Sequence, residues 1–190
     1  QGWIDLLVAN GYTVNLNFRN QQGRVLDAGE IAALNAADLI IVSRDTDSGQ
    51  YAGDDTERKT WNGITKPILL QVAHIARGTT TNTRWWWVNT GTTNDANPAF
   101  LEAVDLGHPI FSGVSLNASN QVDILTAMRS SFVSTTDPGN GHLIAKRADN
   151  SQLWIVEWET GQQFYPGAAY ASDSAPVIAG GPRMLFCSGF

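Results

Sequence analysis

Two short apolar runs, Leu39-Ile40-Ile41-Val42 and Ile68-Leu69-Leu70 continuing to Ala73, constrain this chain more than any other feature. Such runs, unbroken over Leu39–Val42 and Ile68–Leu70, suit parallel strands covered on both faces, because a half-solvated strand alternates instead. A helical segment precedes each run. Asp27 and Glu30 stand at capping-box spacing ahead of Ile31, Ala32, Leu34 and Ala36. Thr56 to Asn62 reads as the next helix, ended by Gly63, and Pro67 leads into the second run. Parallel strands need crossovers rather than tight hairpins, so alternating helix and strand predicts an α/β sheet with helices on both sides.

The chain opens inside an element. Trp3, Ile4, Leu7 and Val8 have helical spacing and Gly11 suits the helix end. Thr13 to Phe18 then alternates, with Val14, Leu16 and Phe18 on one face. A fold of this kind starts with a strand, so the first strand is expected before Gln1, in a longer parent protein. Farther along, Trp85–Val88 reads as a short aromatic strand, and Asn97-Pro98 as the start of a helix running through Val104. His142–Arg147, Gln152–Glu157 and Gln162–Tyr165 read as antiparallel strands, with turns at Asp149-Asn150 and Thr160-Gly161. Met184–Cys187 is a closing strand. No repeat or linker divides residues 1–190, so one domain is expected.

Net charge of −6 and a pI near 4.9 speak against a nucleic-acid partner, which needs clustered Lys and Arg. No apolar run approaches the roughly 18 residues of a membrane-spanning helix, and no basic amphipathic stretch suggests a membrane surface. Scarce Lys with abundant Asn, Thr, Gly and Trp fits an extracellular or cell-surface bacterial protein. The lone Cys187 excludes an internal disulfide. The sequon Asn117-Ala118-Ser119 reads as a chance match in a loop.

Three segments carry a family likeness. They are Lys66-Pro67-Ile68-Leu69-Leu70-Gln71-Val72-Ala73-His74, Gly107-His108-Pro109-Ile110-Phe111-Ser112-Gly113 and Arg183-Met184-Leu185-Phe186-Cys187-Ser188-Gly189. In content and order they resemble the central strand and its turn, the "HPI..G" segment and the closing strand of the ThuA-like branch of the class I glutamine amidotransferase-like superfamily. The resemblance implies a flavodoxin-like three-layer parallel sheet, here with a small antiparallel extension near the C-terminus, and a link to sugar metabolism or sugar binding. His74 matches a His that often follows the family's central strand. True amidotransferases place a nucleophilic Cys after that strand, where this chain has Val72, Ala73 and His74. Without a thiol no thioester forms, so glutaminase activity is excluded.

Ligands of open parallel sheets bind beyond the carboxyl ends of the strands. Ser43, Arg44 and Asp45 follow the first run, and His74 and Arg77 follow the second. A His beside Asp45 or Asp123 is a general acid–base pair, and an arginine suits an anionic or hydroxyl-rich ligand. The same residues equally suit a solvated, salt-bridged rim. Asp45, Asp47, Asp54 and Asp55 make the loop acidic, but the calcium-loop pattern is not met. His74, His108 and His142 lack metal-ligand spacing, so neither metal nor cofactor is expected. Trp85, Trp86 and Trp87 suit sugar stacking if their rings are exposed, and a packed core if they are not. His108 reads as shaping a connection. The leading expectation is a non-catalytic module of a larger secreted bacterial protein, glycan-binding or structural. A sugar-modifying enzyme using a His/carboxylate pair and a building block of an extracellular assembly are the alternatives; partners would be a glycan, neighbouring domains or copies of the chain.

Overall fold

The computed structural model describes residues 2–15, 26–43, 47–79, 84–97, 100–124 and 129–188. In chain order they form helices α1 (Gly2–Ala9) and α2 (Ala28–Ala36), strand β1 (Ile40–Val42), α3 (Asp55–Gly63), β2 (Ile68–Leu70) and the single turn α4 (Ala73–Ala76). Strands β3 (Thr93–Ala96), β4 (Leu101–Ala103), β5 (Gln121–Val122), β6 (Ser130–Val133), β7 (His142–Arg147), β8 (Leu153–Trp158) and β9 (Arg183–Phe186) complete them. The fold is mixed α/β. Among the described residues a seven-stranded sheet runs β1-β2-β9-β8-β7-β4-β5, and β3 and β6 form a separate antiparallel pair.

The two apolar runs lie side by side in the same direction, with Ile40, Ile41 and Val42 opposite Ile68, Leu69 and Leu70. Strand β9 adds in parallel to β2. From β9 outward every pairing is antiparallel. The antiparallel part is therefore no small appendage but a continuation of the same sheet. The expectation of strands buried on both faces needs correcting too. Ile40, Val42, Ile68 and Leu70 are buried, while Ile41, Leu69 and Met184, in one register row, are half-buried. Unbroken apolar sequence here supplies one buried face and one partly open face.

Local signals explain the helices. Asp27 accepts the Glu30 N–H at 2.8 Å and Glu30 reaches back to the Asp27 N–H at 3.0 Å, a complete capping box. Asp54 caps α3 through the Glu57 N–H at 2.9 Å. The other end of α3 is held by the buried Arg183 guanidinium of β9, which donates to the carbonyls of Asn62, Ile64 and Lys66. Burial lowers that guanidinium to about 10, yet it remains a cation at neutral pH on a helix end that favours positive charge.

Three further expectations change. Trp85–Val88 is not a strand: Trp86 has φ 62°, and Val88 makes only an isolated bridge to Arg77. A left-handed residue breaks the alternation a strand requires. Of the helix expected from Asn97 through Val104, residues 98 and 99 lie outside the described residues and Leu101–Ala103 is instead β4, because Leu101 and Ala103 are buried between β7 and β5 and tertiary pairing overrides local signals. Gln162–Tyr165 contributes only an isolated bridge from Gln163 to Ile178. Of the alternating segment Thr13–Phe18, residues 13–15 belong to no element and the rest lies outside the described residues.

Candidate functional site

Strands β1 and β2 are parallel, so their carboxyl ends open on one side of the sheet. A 3₁₀ turn, Ser48–Gln50, follows β1, and α4 follows β2. Turn α4 carries His74, and Arg77 caps its end. The backbone then folds back on itself. Arg84 and Trp86 both donate their N–H to the Arg77 carbonyl, at 3.1 and 3.2 Å, which sets Arg77 and Arg84 side by side at the mouth of the loop. The guanidinium of Arg77 and that of Arg84 both reach the Ser48 hydroxyl, at 3.3 and 3.4 Å. Segments following the two apolar runs thus meet at Ser48.

His74 sits at the centre of a directed hydrogen-bond chain. The β3–β6 register puts Asp95 opposite Ser131, and Thr93 lies two residues back on the same face as Asp95. Turn α4 packs against β6 and brings the imidazole between them. Ser131 donates its hydroxyl proton to Asp95 Oδ1 at 2.6 Å. A serine has one proton, so the 3.1 Å contact between His74 Nε2 and Ser131 Oγ is donated by the imidazole. Nδ1 of the neutral ring then accepts from the Thr93 hydroxyl at 3.0 Å. The chain runs Thr93 to His74 to Ser131 to Asp95, and Arg129 stands 3.8 Å from the far carboxylate.

Burial first, then Arg77 and Arg84, hold the His74 imidazole below its ordinary value, with Asp95 opposing them. The sign of the linkage follows. Below about pH 6.5 the unfolded chain binds the proton and the folded chain resists it, so stability present above that pH is lost as pH falls. His74→Gln keeps an N–H for Ser131 and removes the titration. It is expected to flatten the stability loss between about pH 7.5 and about pH 5.5, measured by urea unfolding. Asp55 and Asp149 do not blur this window, because both are lowered from 3.8 and act at more acidic pH: burial opposes the shift at Asp55, where bonds from Arg58 and Ser172 win, and Arg147 dominates at Asp149. An unchanged slope would show that His74 is not the group that titrates.

The remaining candidates separate. Arg44 and Asp45 lie outside the described residues. Ser43 directly follows β1 and is exposed. Asp123 follows β5, at the opposite edge of the sheet from β1, and is not among the charged groups that act on His74. It therefore does not pair with His74, and Asp95 is the carboxylate at the end of the His74 chain. Trp85, Trp86 and Trp87 are all buried. Trp85 stacks on Trp61 at 5.1 Å and donates to the Tyr51 carbonyl at 2.7 Å, while Trp87 donates to Asn62 Oδ1 at 2.9 Å. The expectation of rings exposed for sugar stacking is corrected: they are core, drawn in by a folded-back loop instead of a surface strand.

The acidic loop is occupied by local work. Asp47 accepts from Gly49 N–H at 2.8 Å, Asp54 caps α3, and Asp55 pairs with Arg58 at 2.7 Å. His108 accepts the Ile110 N–H at 3.2 Å at the head of the turn Pro109–Phe111. Among the described residues no group of three or more His, Cys, Asp or Glu is arranged to hold a metal ion. None of the described helices is long and apolar enough to cross a membrane. The Cys187 thiol is fully buried, and burial pushes it up to about 12, so it stays protonated. Comparison with known proteins finds no matching family model, no matching curated protein and no matching solved structure.

Proposed function

We propose that the chain is a non-catalytic α/β module of a larger extracellular bacterial protein, with a ligand crevice beyond the carboxyl ends of β1 and β2. We also propose that its frame is a flavodoxin-like three-layer arrangement related to ThuA-like domains, in which antiparallel strands extend the parallel core. Composition supports the extracellular setting. The parallel pairing of β1, β2 and β9 supports the frame.

One observation carries the non-catalytic reading: the order of the hydrogen-bond chain. A hydrolytic triad puts the imidazole between hydroxyl and carboxylate, so that the imidazole accepts the hydroxyl proton. Here the hydroxyl of Ser131 lies between His74 and Asp95, and its proton points to the carboxylate. His74 donates to the serine and cannot activate it. Ser131 is also only 2% exposed, out of reach of a substrate carbonyl. The chain holds α4 to the β3–β6 pair and leaves the crevice to bind without reacting. With Trp85, Trp86 and Trp87 buried, ring stacking at these residues has no part in that binding.

A fluorophosphonate probe, which labels activated serines, tests this. The expected result is no labelling of Ser131 and no release of nitrophenol from a panel of nitrophenyl glycosides. Stoichiometric labelling that Ser131→Ala abolishes would overturn the reading in favour of an enzyme, as would glycoside turnover lost in His74→Gln.

A further inference from the structure

The half-buried row of the sheet, Ile41, Leu69 and Met184, does not end at β9. Met184 lies opposite Glu157 of β8, and Glu157 lies opposite His142 of β7, so the row passes from apolar to charged on one face. There two histidines and two carboxylates meet. His142 Nδ1 stands 3.0 Å from Glu157 Oε1, and its Nε2 stands 3.2 Å from Asp105 Oδ2. His108 Nε2 is 3.4 Å from Glu157 Oε2, and the two rings lie 6.4 Å apart. Asp105 and His108 belong to the turn after β4. That turn is tied to itself, since Asp105 Oδ1 accepts the Gly107 N–H at 2.9 Å and the His108 N–H bonds the Asp105 carbonyl at 3.2 Å. It continues into Pro109–Phe111, whose Ile110 and Phe111 pack against the core.

The partners determine where the protons are. A backbone N–H can only donate, so the Ile110 N–H at 3.2 Å leaves His108 Nδ1 bare and puts that ring's proton on Nε2, toward Glu157. His142 has no such choice. An ionised carboxylate only accepts, and His142 has one at each nitrogen. A neutral imidazole carries one N–H, so it serves one carboxylate and presents a lone pair to the other. The imidazolium donates to both. We propose that His142 is a proton-operated latch: its imidazolium joins Asp105 of the turn to Glu157 of the sheet, and loss of the proton releases the turn. The Asp105 side gives way, because its contact is the longer and Glu157 is held in register with His142 across β7 and β8. The Asp105 N–H keeps its bond to the Ile144 carbonyl at 3.2 Å, so the chain beyond Asp105 loosens about that point. Among the described residues, the charged and titratable groups facing His142 are Glu157 from β8 and Asp105 and His108 from the turn. His108 does not substitute for it, since a second proton on that ring would sit at Nδ1, against the Ile110 N–H. Histidine changes charge between about pH 5 and about pH 8, so the turn is held on the acid side of that range and freed on the alkaline side.

Hydrogen exchange and nitrogen-detected NMR of the histidine rings, on the unmodified chain across that range, test the latch. Where the turn is protected, both ring nitrogens of His142 should carry protons, and His108 should carry one, on Nε2. As His142 loses its proton, exchange at the Gly107, His108, Ile110 and Phe111 amides should increase about two- to fivefold, the size expected of a surface ion pair. The increase is read relative to β8 and after correction for the intrinsic rise of exchange with pH. Its midpoint should coincide with that of the His142 ring. Asp105→Asn is the control that a merely structural role would not move. Its Nδ2 donates to a bare Nε2, so the turn no longer needs the proton, and the rise should vanish or reverse. His74 does not confuse the result, since its own effect is a loss of stability as pH falls. A His142 with one ring proton while the turn is protected, exchange that ignores the His142 midpoint, or an equal rise in Asp105→Asn would overturn the proposal.

Discussion

Replacing Trp87 with alanine is expected to cost about 4–5 kcal/mol of folding stability, the largest loss from any single ring in this chain's loop 84–88. Trp87 is fully buried. Its ring lies nearly parallel to Phe164 at 5.4 Å and meets Trp85 at 5.6 Å and Trp158 at 5.8 Å. Trp158 belongs to β8, so the ring ties the loop after α4 to the central sheet. Truncation leaves a cavity among rigid aromatic neighbours that cannot collapse into it. It also strips Asn62 Oδ1 of the indole N–H at 2.9 Å, while Asn62 continues to donate to the Trp85 carbonyl at 2.9 Å. An orphaned buried acceptor costs about 1–3 kcal/mol. Trp87→Phe separates the two effects, because it retains most of the ring volume and loses the donor; about 2 kcal/mol is expected. For a domain whose whole stability is about 5–15 kcal/mol, the alanine variant should melt about 10–15 °C lower. Calorimetry checks both. A drop of only a few degrees would mean that the aromatic cluster is not the packing centre that its geometry indicates.

The fate of the tryptophans shows what a sequence can and cannot disclose about this fold. Strands β1 and β2 were legible because unbroken apolar runs of three or four residues, each behind a helical segment, suit the interior of a parallel sheet. Helix α2 was legible because Asp27 and Glu30 satisfy each other across three residues, and a local rule suffices. The β7–β8 pair was legible from the turn residues Asp149-Asn150 between its strands. Trp85-Trp86-Trp87 misled, because nothing local reveals that Trp86 takes a left-handed backbone and that its neighbours turn inward. The site was half legible. His74 and Arg77 follow directly from the rule about strand ends. Their partners do not: Thr93 and Asp95 sit on Thr93-Asn94-Asp95-Ala96, whose composition reads as a turn, and Ser131 is 57 residues from His74. The available signal was the i, i+2 spacing of Thr93 and Asp95, which puts both on one strand face. Only the pairing of β3 with β6 makes that face meet His74.

Gly78→Ala is expected to cost about 2–3 kcal/mol of folding stability. A Cβ at Gly78 would stand 2.6 Å from the Trp86 Cα and 3.1 Å from both the Trp86 ring and the Tyr165 hydroxyl. The closest of these is backbone, and that backbone is already fixed: Trp86 is left-handed, and its N–H bonds the Arg77 carbonyl at 3.2 Å. Tyr165 cannot simply withdraw, since its hydroxyl donates to the Gly78 carbonyl at 2.9 Å. The two limbs of the loop must therefore part, and they are the limbs that carry Arg77 and Arg84. Gly63→Ala is the control. Beyond its chain neighbours and its own helix backbone no atom lies within 4 Å of its added Cβ, and it ends helix α3, so a change between zero and a gain of about 1 kcal/mol is expected. Urea unfolding reads the stability of each variant. A Gly78→Ala protein that keeps its stability would mean that Trp86 yields where the packing says it cannot.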